Sequence, residues 1–113
     1  MAKVEIVRSL FEEIQKRFKG ESHKVIDLIE SLENSPLKGK SLGSVGGMVI
    51  KEIRYNSFRF YFIADGYKLK FFDEQSLADM LIRFVRMSDK KDQQQTINEI
   101  RKILLNFGPK GFG

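Results

Sequence analysis

Residues 49–64 read Val-Ile-Lys-Glu-Ile-Arg-Tyr-Asn-Ser-Phe-Arg-Phe-Tyr-Phe-Ile-Ala, two strand-forming runs broken only by Asn56-Ser57. A break that short closes an antiparallel hairpin, because a parallel return needs a dozen or more residues. Alternation puts Phe58, Phe60 and Phe62 on one face, with Arg59, Tyr61 and Ile63 on the other. The phenylalanine face needs a cover, which predicts helices packed on it. Arg59 and Tyr61 are then expected on an open face, as an antiparallel sheet allows. The same turn brings Arg54 and Arg59 onto neighbouring strands with both guanidinium groups on one face. Two close cations are costly without an anion, unless each has its own acidic neighbour.

The remaining elements follow from spacing. Val4-Glu5-Ile6-Val7 suits a short strand, and Leu10, Phe11, Ile14 and Phe18 recur at helical spacing up to a stop at Gly20. Ser22 is the expected cap of a second helix whose stripe is Val25, Leu28, Ile29 and Leu32, ended by Asn34-Ser35-Pro36. Residues 37–47 carry four glycines and little periodicity, so they are expected to form a loop. Asp65-Gly66 predicts a second hairpin turn into a strand over residues 67–72. Residues 73–79 are a polar excursion before a last strand over 80–87. Asp92 and Gln95 predict a capping box on a closing helix with an apolar face of Ile97, Ile100, Ile103, Leu104 and Phe107. Residues 108–113 are expected to fray. The fold class is therefore α+β: an N-terminal strand and helical hairpin packed on a small antiparallel sheet, with a closing C-terminal helix, in a single domain over 1–113.

Composition limits the chemistry. The chain has no cysteine and one histidine, so thiolate chemistry and a histidine-built metal site are excluded, and no cofactor is expected. His23 is read as a surface residue of the second helix. No apolar stretch approaches the ~20 residues of a membrane span and no signal-peptide core is present, which makes a soluble, cytoplasmic protein the expectation. The net charge of +5 is uneven. Residues 1–35 hold six basic and seven acidic side chains, and the remainder fourteen basic and eight acidic. A basic excess in the strand-rich part favours a polyanionic partner.

Several segments together carry a resemblance: the helical hairpin ending in Ser35-Pro36, Gly39-Lys40-Ser41-Leu42, the 47–54 strand, Phe58-Arg59-Phe60-Tyr61, and Ile82-Arg83-Phe84-Val85-Arg86 followed by Asp89-Lys90-Lys91. Their order and spacing resemble the RelE/ParE toxin superfamily, leaning to its HigB-like branch. The resemblance implies the toxin of a type II toxin–antitoxin pair, a ribosome-dependent endoribonuclease that cuts messenger RNA without a metal and is silenced by a cognate antitoxin protein. It implies Arg59 on the scissile phosphate, then Arg54 and Arg86, with Lys90, Lys91 and Lys40 on flanking phosphates or ribosomal RNA. Glu52 serves either as general base or as the ion-pair partner of Arg54 or Arg59. Tyr61 either stacks on a base or is a buried strand tyrosine. The chain departs from the family where lysines often line the first hairpin strand, for Ile50 and Glu52 stand there and Lys51 points away. Residues 88–113 also lack the histidine or tyrosine many members use. These departures keep open a ParE-like toxin that inhibits DNA gyrase by binding, an inactive relative, or a basic binding module.

Overall fold

The computed structural model describes residues 2–71 and 80–113, leaving aside the side chains of Lys70 and Phe71. Among these residues the five strands are β1 (Lys3–Ile6), β2 (Lys40–Val45), β3 (Met48–Tyr55), β4 (Phe58–Asp65) and β5 (Leu81–Asp89). The helices among the described residues are α1 (Arg8–Phe18), α2 (Ser22–Glu30), α3 (Gly66–Phe71) and α4 (Gln93–Phe107), with 3-10 turns at Lys19–Glu21, Ser31–Glu33 and Pro109–Phe112. The architecture is α+β, and the strands form one sheet in the order β1-β5-β4-β3-β2. The sheet is mixed rather than antiparallel. β1 leads straight into the helical hairpin and lies parallel to β5, anchored where Lys3 N–H donates to the Met80 carbonyl and Val7 N–H to that of Phe84.

The phenylalanine face is covered as its alternation requires. The Phe18 ring of α1 stands 5.8 Å from Tyr55, 5.2 Å from Phe58 and 6.0 Å from Phe60, while Phe62 stacks at 4.7 Å on Phe84. The opposite face is not open. α4 lies across it, held at β5 by Arg86 on Glu99 and at β2 by Arg101, which donates to the Leu42 carbonyl at 3.1 Å. Ile97, Ile100 and Leu104 are buried beneath the helix as expected, but Phe107 is 73% exposed. With helices on both sides, β4 is buried along almost its whole length. A strand covered on both faces reads as a near-continuous apolar run, which is what Phe60 to Ala64 is.

Other expectations need correction. Residues 40–45 form an edge strand rather than part of a loop, joined to β3 by Gly46-Gly47 with φ of +57° and +84°. Such paired positive angles suit a two-residue hairpin and are open to glycine without strain. The register slips between Ser41 and Gly43, which breaks the alternation that would have revealed the strand. Asp65-Gly66 does not turn a hairpin. The Asp65 carboxylate accepts from the N–H of Tyr67 at 2.9 Å and of Lys68 at 3.4 Å, so it starts a helix where a strand was expected. Aspartate supplies both kinds of local bond, and its presence does not choose between them. The excursion at 73–79 lies outside the described residues, as does Phe72.

Helix starts also differ. Ser22 and Asp92 make no side-chain cap, and the expected Asp92–Gln95 box does not form. At α4 the Asp89 carboxylate accepts the Asp92 N–H at 2.9 Å, and Thr96 Oγ1 donates to the Asp92 carbonyl at 3.0 Å. The C-terminal residues do not fray. Phe112 is buried in the core, and Arg83 donates to the carbonyls of Pro109 at 2.8 Å and Gly113 at 3.3 Å.

Candidate functional site

Strand register assembles the charged residues. Lys40 of β2 is opposite Glu52 of β3, Glu52 opposite Tyr61 of β4, and Tyr61 opposite Arg86 of β5. The next rung toward the Asn56-Ser57 turn is Arg54, Arg59 and Ser88. Residues directly opposite on neighbouring strands face the same side, so these seven side chains occupy two adjacent rows, ~7 Å apart, on the face beneath α4. Lys90 and Lys91 are exposed in the turn from β5 to α4, at the same end of the sheet. The left-handed Asn56, with φ of +54°, makes the tight turn that sets Arg54 against Arg59.

The centre of the two rows is Glu52. Its side chain is 1% exposed, with Oε1 3.7 Å from Arg54 Nη2 and Oε2 3.9 Å from Arg59 Nε. Both separations exceed hydrogen-bond length, and neither carboxylate oxygen has a hydrogen-bond partner among the described residues. Arg59 Nε is also buried without one, while its Nη1 donates to the Ser57 carbonyl at 3.2 Å. The Arg59 side chain is 7% exposed, whereas Arg54 is 55% exposed and forms the solvent side of the cluster. Glu52 thus neighbours both arginines, not one of them.

Tyr61 is fully buried beside this group. Its hydroxyl lies 2.7 Å from Ser88 Oγ, which is in turn 2.9 Å from the Asp89 carbonyl. Burial pushes the phenol above its usual range, the nearby Glu52 and Asp89 add to this, and Ser88 and Arg59 oppose it. Tyr61 presents no ring to solvent in this arrangement, so the buried-strand alternative is the one found.

Arg86 is occupied. Its Nε donates to Glu99 Oε1 at 2.8 Å, its Nη1 to the Val85 carbonyl at 2.7 Å, and its guanidinium lies 5.2 Å from the Phe112 ring centre. It fastens α4 and the C-terminal turn to the sheet. Lys40 is exposed at the β2 edge, and His23 is exposed on α2. Lys51 points to the opposite face as alternation predicts, donating to the Leu37 carbonyl at 2.9 Å with its ammonium 5.9 Å from the Phe62 ring centre, and burial lowers its pKa.

Ser88, Glu99, Arg101 and Phe112 escaped the sequence reading. Each acts across a long sequence separation, so no local spacing marks it. The one available signal was the apolar continuity of β4, which implies a second covering layer and hence partners on α4.

No family model, curated protein or solved structure matches this chain. The fold and site by themselves define an α+β protein whose mixed sheet carries a mostly cationic cluster under its last helix. Among the described residues no helix is long and apolar enough to cross a membrane.

Proposed function

We propose that this chain is the toxin of a type II toxin–antitoxin pair, acting in the cytoplasm as a metal-independent endoribonuclease on ribosome-bound messenger RNA, with a cognate antitoxin protein as its silencing partner. The observation that supports this most is the pairing of Arg54 with Arg59 on one face, beside the exposed Lys90 and Lys91. In the reaction the 2′-oxygen of the RNA bonds to the adjacent phosphorus while the bond to the 5′-oxygen breaks. The products are a 2′,3′-cyclic phosphate and a 5′-hydroxyl, with the proton lost from the 2′-hydroxyl and another gained by the leaving oxygen. The extra charge of the phosphorane is what guanidinium groups stabilise.

Exposure orders the roles. Arg54 meets the phosphate first, Arg59 supports it from behind, and Lys40, Lys90 and Lys91 hold flanking phosphates. Glu52 is the carboxylate nearest the pair, and taking the 2′-hydroxyl proton requires it to turn outward. Primer extension on messenger RNA in a reconstituted translation reaction tests the reading. Cleavage is expected only with ribosomes, falling about 100-fold or more in Arg54→Ala and Arg59→Ala. An intact message with folded wild-type protein would sink it.

The burial of Glu52 and Tyr61 and the engagement of Arg86 favour a second reading. Among the described residues the cluster offers no solvent-facing proton donor or acceptor beyond its cations, which suits a ParE-like toxin that inhibits DNA gyrase by binding. A supercoiling assay with intact messenger RNA as counterpart separates the two.

A further inference from the structure

We infer that Glu52 is a resident counterion: its carboxylate stands between Arg54 and Arg59 where the pair would otherwise hold a tetrahedral oxyanion, and its charge keeps oxyanion affinity low. The inference deepens the proposed function at one point, since it needs the arginine pair to bind an anion but does not need RNA to be cut.

Three observations carry it. First, Glu52 is too far from both guanidiniums for the short, forked bonds of a structural Arg–carboxylate pair, at 3.7 Å and 3.9 Å. Second, hydrogen-bonding capacity remains unused inside the cluster, on both Glu52 oxygens and on Arg59 Nε. Buried polar atoms in folded proteins are nearly always paired, so an unpaired set facing one another marks a place built for more than packing. Third, the cluster is closed on one side and open on the other. Glu52 and Arg59 are buried, and Arg54 is half-exposed.

Among the described residues no third cation is paired with the carboxylate. On its own row Lys40 is exposed at the sheet edge, and Arg86 is paired with Glu99. Lys51, next in sequence, lies on the opposite face and donates to Leu37. Two arginines and one carboxylate leave a single net positive charge for an incoming anion. An approaching phosphate meets the Arg54 attraction together with the repulsion of a carboxylate one guanidinium away. An amide in its place has the same shape, removes the repulsion and adds a donor.

The test uses inorganic phosphate, with neither RNA nor ribosome present, so a failed cleavage assay and a failure of this inference are separate results. Calorimetric titration at ionic strength matched with chloride is expected to give Glu52→Gln about tenfold or more tighter phosphate binding than wild type. Glu52→Asp keeps the charge and is expected to keep the weak binding. The gain should vanish in the Glu52→Gln/Arg54→Ala double variant. Equal affinities for wild type and Glu52→Gln overturn the inference. Should Glu52→Gln fail to fold, nitrogen-detected spectra of the wild-type arginines decide. Arg54 and Arg59 Nε signals that move no further with phosphate than with chloride support a filled site. A saturable, phosphate-specific shift of both signals would show the pair open despite Glu52, and would overturn the inference.

Discussion

Lys51 and Tyr61 bury protons of opposite consequence on opposite faces of neighbouring strands. The ammonium is disfavoured by burial, so the folded state holds its proton less tightly than the unfolded chain. Its penalty is present in full below the folded pKa and is relieved as pH rises toward the ordinary 10.5. The phenolate is also disfavoured, so the Tyr61 contribution is intact below the ordinary 10.0 and is lost as pH climbs through the raised folded value. Urea unfolding from pH 8 to 11 should separate them. Lys51→Met, which leaves the tyrosine, is expected to lose stability steeply above pH 10, and Tyr61→Phe to gain stability until about pH 10.5. At neutral pH Tyr61→Phe should cost about 1 kcal/mol, one buried hydrogen bond. A flat profile in both variants would contradict the assigned burial. Which face each side chain takes was legible, because alternation fixes it. That Tyr61 and Arg59 are covered was not, for burial from the far side depends on a helix more than thirty residues on.

At the scale of elements, α4 is the part whose placement decides what the charged face can do. Arg101 runs over β2 to reach the Leu42 carbonyl, and Gly43 leaves it room: with φ of +130°, a Cβ there would strike the guanidinium. Gly43→Ala therefore faces both steric conflict and an unfavourable backbone angle. A loss of about 1–3 kcal/mol is expected, read as a lower urea midpoint, together with faster amide exchange in α4. Exchange unchanged in α4 but faster elsewhere would place the clamp wrongly. The helix itself was legible from Ile97, Ile100 and Leu104, since one apolar stripe at that spacing needs a partner surface. β2 and α3 were not. Lys-Ser-Leu-Gly-Ser-Val has a slipped register that erases the period of two, and Asp65-Gly66 opens either a turn or a helix with the same local bonds.

Charge is a property of the whole molecule. The basic excess lies beyond residue 35, and at the end of the sheet near the Asn56-Ser57 turn it includes exposed Arg54, Lys90 and Lys91. Binding to a single-stranded oligonucleotide should weaken linearly on a log–log plot against salt. Replacing Lys90 and Lys91 together by alanine should reduce that slope by about 1.4, one counterion term for each lost phosphate contact. An unchanged slope would count against the proposed contact of these two lysines with nucleic-acid phosphates.

The last strand of the chain, β5, lies inside the sheet between β1 and β4, with Lys3 opposite Leu81 and Phe58 opposite Asp89. As the polypeptide is synthesised, β1 therefore waits for a neighbour encoded far downstream, and the inner edge of β4 stays bare. Pairings of that span are slow to close. Glu99, the acceptor for Arg86, belongs to α4, and Ser88, the partner of Tyr61, belongs to β5, so both contacts arise in this final insertion. A nascent chain that has not yet released β5 lacks Arg86, Ser88 and the covering helix, so folding itself times the moment the finished surface comes into existence.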